Sequence, residues 1–264
     1  MNVHYANWTA PKHVRALTTT VDGGVSDGVY HSLNLGQHVQ DDVGLVEQNR
    51  ALLVRELSLP SEPVWLNQAH STDVVELMGA KSDDEFSVNA EGSLTNADGS
   101  LINADGSYTH SKGVVCAVLT ADCLPVFLTN KVGDRVAVLH AGWRGLADGI
   151  IEQGVAKLGC PAEDVIAWAG PCIGPDAFEI GDEVREQLGG SDAAYKESLN
   201  SSAEKTKWFA NLYLLAGERL SAIGVNEYFH SHACTFNDSN EFFSYRRTGQ
   251  CGRMASLIWV ESSL

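Results

Sequence analysis

Positive charge is scarce in this 264-residue chain: 18 Lys and Arg stand against 34 Asp and Glu, giving 18 − 34 = −16. Protonating all 9 histidines would bring that only to −16 + 9 = −7. Binding to nucleic acid or an anionic membrane needs clustered cations that displace counterions, so both are excluded as a main function. An uninterrupted apolar stretch is also missing. The longest, Val114 to Leu128, contains Asp122 and Pro125, and it falls short of the ~20 residues of a membrane helix. No basic segment followed by an apolar one opens the chain, so the expectation is a soluble, cytoplasmic protein. Six cysteines are spread without a CxxC pair, which favours reduced thiols over a disulfide framework. Signature motifs are absent too: there is no GxxxxGK[ST], strand-linked GxGxxG, HExxH or GxSxG. The deaminase pattern HxE…PCxxC fails because no second cysteine follows Cys172 at the required spacing.

What is present reads as one mixed α and β domain over residues 1–264, since no Pro/Ser-rich linker divides it. Asp41 and Asp42 are N-cap candidates for a helix carrying Leu45, Val46, Leu52, Leu53 and Leu57. Val64-Trp-Leu reads as a strand leading to Asn67-Gln-Ala-His70. Three apolar runs, 114–120, 135–139 and 165–169, read as strands buried on both faces. Helices are expected at 146–158, stopped by Gly159, and at about 208–223. Residues 89–109 repeat Asn-Ala-Asp/Glu-Gly-Ser three times at a period of seven, which predicts a solvated chain of polar turns.

Chemistry concentrates where the strands end. His70, Cys123 and His140 each lie just past an expected strand, separated by 53 and 17 residues. Imidazole and thiolate are the ligands zinc prefers, and they also suit copper. Three protein ligands with a fourth position open is the catalytic arrangement. The spacing fits no metal signature, however, and the same residues also read as an ordinary turn histidine, a core thiol and a surface histidine. Arg144, in a Gly-bracketed turn that opens a helix, is a candidate anion ligand. Arg246, beside Arg247, is a second. Cys172 sits on a tight Gly-Pro turn, and His230-Ser-His232 puts two imidazoles on one side of an extended segment.

Several segments then occur in a recognisable order: Gly23-Gly-Val-Ser26, Ser32-Leu-Asn-Leu-Gly36, Asn67-Gln-Ala-His-Ser71, Leu119-Thr-Ala-Asp-Cys-Leu-Pro125, His140-Ala-Gly-Trp-Arg-Gly145, Gly170-Pro-Cys-Ile-Gly174, Phe242-Phe-Ser-Tyr-Arg-Arg247 and Gly252-Arg-Met-Ala255. On these residues the chain resembles the bacterial laccase-domain family, whose members have been named polyphenol oxidase and purine nucleoside phosphorylase. The resemblance covers nearly the full length. It implies an α+β, four-layer α/β/β/α sandwich with mixed sheets and a zinc site on His70, Cys123 and His140. It also implies phosphorolysis of adenosine, inosine and methylthioadenosine, accompanied by adenosine deamination. Purine nucleosides and phosphate would then be the partners, with Asp122 shuttling a proton and Arg144, then Arg246, holding phosphate. Two departures stand out: the repeat lengthens the segment before Ala104-Asp-Gly, and Cys251 replaces the Thr that commonly precedes Gly-Arg-Met-Ala.

Two rival chemistries use the same residues. A copper polyphenol oxidase of the multinuclear kind needs several HxH pairs, and this chain has one. A metal-free cysteine hydrolase would take Cys123 as nucleophile with His140 or His70 as base.

Overall fold

Alternation along the strands decides where each apolar side chain goes, because successive residues of a strand face opposite sides of its sheet. The computed structural model describes residues 1–78, 86–89, 92–96, 101–200 and 206–262. Within Cys116–Thr120, Cys116 and Val118 turn one way, into a cluster with Phe127, Val138, Trp168 and Ile258. Ala117 and Leu119 turn the other way, joining Leu53 of the helix Val43–Glu56. In the strand Leu124–Asn130, Leu124, Val126 and Leu128 pack with Ile151, Leu158, Leu212 and Leu220, which come from the helices Ile150–Leu158 and Leu212–Ala222. One cluster therefore joins residues of both sheets, and the other two pack strands against helices.

The first sheet is antiparallel, in the order Val3–Tyr5, Val14–Thr19, Met254–Val260, Cys116–Thr120. The second is mixed: Glu227–His230, Val165–Ala169, Leu124–Asn130, Val136–Ala141, Gly106–Thr109, Val74–Glu76. Its two outermost pairings are parallel and the inner ones antiparallel. A mixed α/β architecture with mixed and antiparallel sheets is thus what the chain adopts. No helix among the described residues is long and apolar enough to cross a membrane.

Local signals operate where expected at several ends. Asp42 caps its helix by accepting from the Leu45 N–H at 3.1 Å, and Gly159 ends Ile150–Leu158 in the left-handed conformation at φ 62°. Three expectations need correction. The helix anticipated at about 208–223 begins only at Leu212, capped by Asn211, whose side chain accepts from the Leu214 N–H. Residues Lys207–Ala210 form a strand instead, paired on one side with Glu179–Gly181 and on the other with Tyr195–Glu197. Aromatic Trp208 and Phe209 suit a pleated surface, and pairing on both edges overrides the helical spacing. Val64-Trp-Leu makes only isolated bridges, Val64 to Cys116 and Trp65 to Ser93. The helix expected at 146–158 is broken at Gly149, whose φ of 100° separates Trp143–Asp148 from Ile150–Leu158; the strand Leu124–Asn130 is additional, with Pro125 tolerated near its start.

The repeat also divides. Residues 90–91 and 97–100, from its first two units, lie outside the described residues. The third unit is not a solvated turn: Ala104, Asp105 and Ser107 are fully buried, and Gly106–Thr109 is a strand of the mixed sheet.

Candidate metal centre and cavity

Asp105 explains why that third unit is buried. Its carboxylate accepts the backbone N–H groups of Ala69 (3.1 Å), His70 (3.0 Å) and Ser71 (2.6 Å) and the Ser71 hydroxyl (2.9 Å). It also accepts Nδ1 of His140 at 2.7 Å. A buried carboxylate is costly unless such donors surround it. Burial works against the charge, but the His140 and Ser71 hydrogen bonds more than offset this and lower its pKa. One side chain thus fixes the loop that carries His70, at φ 59°, and the ring of His140 together. With Nδ1 donating to Asp105, His140 turns Nε2 toward Cys123, the orientation that a carboxylate imposes on a metal-ligating histidine. Gln68 adds a second tie, pairing both ends of its amide with the Leu119 backbone at 2.7 and 2.8 Å.

Nε2 of His70 lies 3.9 Å from the Cys123 sulfur, and the two imidazoles meet edge to face with centroids 4.8 Å apart. The ligand atoms of His70, Cys123 and His140 all lie within 4.8 Å of one another, the only cluster of three or more potential ligands among the described residues. Gly142 makes the room: a Cβ there would come within 2.7 Å of His70 Cδ2 and 3.3 Å of the Cys123 sulfur. Burial opposes charge on Cys123, yet the charge and hydrogen bond of His140, aided by His70, bring its thiol down to about 6. Burial likewise opposes charge on His140, but Cys123 and Asp105 raise it to about 9. Thiolate is the ligating form of cysteine. Two nitrogens and one sulfur, oriented and unblocked, suit a zinc-sized ion.

The cluster lies in the wall of a cavity of about 390 Å³ that Trp143, Phe178, Tyr245, Arg246, Arg253, Asp122 and His38 also line. Arg246 is aimed by a hydrogen bond from Nη1 to the Glu179 carbonyl (3.0 Å), and Arg253 by bonds to the Cys251 and Gly252 carbonyls. Arg144 is not brought to this cavity: it is exposed, with its guanidinium 4.4 Å from the Trp143 ring centroid. Asp122 lines the cavity, but both its oxygens are engaged, by the Thr235 hydroxyl (2.6 Å) and the Arg246 N–H (2.7 Å). These two contacts tie it to the Thr235 and Arg246 segments. Cys172 is buried, outside the cavity lining, and burial raises its thiol pKa strongly, which disfavours the thiolate form that a nucleophile needs.

Sequence reasoning missed Asp105 and Arg253. The Asn-Ala-Asp-Gly-Ser repeat disguised the first as a turn residue. Arg253, within Gly252-Arg-Met-Ala255, carried no local mark of facing a cavity.

Fold and site together define a mixed α/β protein with a His-Cys-His cluster facing a cavity. The family model described as multi-copper polyphenol oxidoreductase laccase matches residues 15–261, and the chain belongs to that family. Among its relatives are a purine nucleoside phosphorylase of Haemophilus influenzae, 44% identical over 97% of this chain and 98% of the other. The purine nucleoside phosphorylase YfiH of Escherichia coli is also 44% identical, with 96% of each chain covered. A Neisseria meningitidis protein solved by crystallography superposes with a TM-score of 0.84 at 39% identity, covering 99% of this chain and 100% of that one. The family's description and the relatives' names point to different chemistries, oxidation and phosphorolysis.

Proposed function

We propose that this chain is a purine nucleoside phosphorylase, with His70, Cys123 and His140 holding a zinc ion at the cavity wall. The observation that carries the reading is the meeting of that cluster with two guanidiniums, Arg246 and Arg253, in one aromatic-walled cavity. Phosphorolysis needs an anion held in line with the glycosidic carbon, and positioning with charge neutralisation supplies most of the acceleration. Arg246 and Arg253 hold the phosphate; Trp143, Phe178 and Tyr245 offer flat faces to a purine. Asp122 keeps the Arg246 segment in register with Cys123, and Asp105 keeps both histidines aimed. When bound, the ion supplies Lewis acidity for charge that develops on the substrate and for the accompanying deamination of adenosine. Adenosine, inosine and methylthioadenosine are the proposed substrates.

Free base released from these nucleosides in phosphate but not in phosphate-free buffer tests the reaction. Release that persists without phosphate would make the protein a hydrolase. One observation favours a second reading: Cys123 and His140 also make the thiolate–imidazolium couple of a cysteine hydrolase. That enzyme would keep its activity in a strong chelator; the phosphorylase proposed here would lose it. Oxidation by a multinuclear copper centre is disfavoured, because the described residues offer one ligand cluster where such a centre needs several.

A further inference from the structure

We propose that His230 and His232 form a second, two-imidazole site for a divalent transition-metal ion of the class that favours nitrogen ligands. His230 ends the edge strand Glu227–His230 of the mixed sheet. Two residues on, the backbone turns left-handed at His232, φ 61°, and this brings the second ring back against the first, centroids 3.8 Å apart. Tyr213 stacks on His230 at 4.6 Å and 18°, which holds that ring in place. Nδ1 of His230 is buried and has no hydrogen-bond partner among the described residues. Buried imidazole nitrogens are normally paired, so an orphan beside a second imidazole calls for a bridging group.

The surroundings favour a cation. Both rings line an open cleft of about 850 Å³ between the helix Leu212–Ala222 and the sheet edge. Among the described residues no Lys or Arg lines it, Glu218 does, and none of its lining residues is shared with the cavity of the His70 cluster. Burial and the neighbouring His232 lower the pKa of His230, favouring the neutral form that ligates. Imidazole pairs suit Cu²⁺, Ni²⁺ and Zn²⁺, with Cu²⁺ bound most tightly, and water from the cleft can complete the coordination. Having two protein ligands in place of three, the site exchanges its ion more readily than the cavity cluster.

The test is a Cu²⁺ titration of the full-length protein, read by calorimetry and by nitrogen hyperfine structure in electron paramagnetic resonance. His232→Gln, at an exposed position, is expected to lose one nitrogen-ligated equivalent of copper relative to the parent and to leave phosphorolysis unchanged. His110→Gln, at an exposed position outside the cleft lining, and His70→Gln are both expected to keep that equivalent. Equal copper binding by the parent and His232→Gln would overturn the site. So would an equal loss in His110→Gln, which would mark the binding as nonspecific surface uptake. Neither result bears on the cavity, whose own test is phosphate dependence.

Discussion

Nδ1 of His140 donates to the carboxylate of Asp105 at 2.7 Å, and the same carboxylate gathers the backbone around His70. Two candidate ligands that lie 70 residues apart in the chain are thereby aimed by one buried acid. Outer partners of this kind typically change metal affinity by about 10- to 100-fold when removed. Asp105→Asn is expected to weaken zinc retention by about that factor, measured by competition with a chromogenic chelator. It should also lower the melting temperature, because hydrogen bonds to charged groups contribute about 1.5–3 kcal/mol each. Unchanged zinc affinity in a folded Asp105→Asn protein would remove the carboxylate from its positioning role.

Gly142→Ala should separate metal binding from folding. The added methyl meets His70 Cδ2 at 2.7 Å and the Cys123 sulfur at 3.3 Å. The glycine's φ of −59° is open to any residue, so the backbone itself carries no strain. Zinc content is expected to fall while the far-ultraviolet circular dichroism stays that of the parent. Full zinc occupancy in the variant would show that the cluster does not need this space.

The arginines should sort by the cavity. Arg246→Ala and Arg253→Ala each remove a guanidinium from the lining. Each is expected to lower kcat/KM for phosphate by about 10- to 100-fold, the equivalent of roughly 1.5–3 kcal/mol for a hydrogen bond to a charged group. Arg144→Ala removes an exposed residue stacked on Trp143 and should leave phosphate kinetics within about twofold, as surface substitutions usually stay within ±0.5 kcal/mol. The reverse order would restore Arg144 as the anion ligand.

Metal removal should unmask one thiol. The proposed ion would occupy the sulfur of Cys123, whereas burial suppresses the thiolate of Cys172 and Cys116, the latter raised to about 12. Iodoacetamide is expected to label Cys123 in chelator-treated protein and to spare it after zinc is restored. Cys116 and Cys172 should stay unlabelled in both. Peptide mass spectrometry reads the pattern, and equal labelling of Cys123 in both samples would count against zinc ligation.

Patterns that depend on near neighbours were written plainly in the chain. Continuous apolar runs announced buried strands, because a strand covered on both faces has no polar side to show. The Asp42 cap and the Gly159 stop were legible because capping is settled within a turn of backbone. Strand ends pointed to His70, Cys123 and His140 as chemistry-bearing residues, and the motifs around them carried the family likeness. Three-dimensional packing alone decided the rest. Asp105 looked like a repeat's turn residue until pairing of Gly106–Thr109 with Val136–Ala141 set it against His140. Lys207–Ala210 had helical spacing but took strand partners on both edges. Which arginine faces the cavity depended on how distant segments pack, since a turn's sequence does not fix where its side chain points. Local free energies choose caps and strands; only contacts between remote segments decide which polar groups converge, and these are formed by the whole core at once.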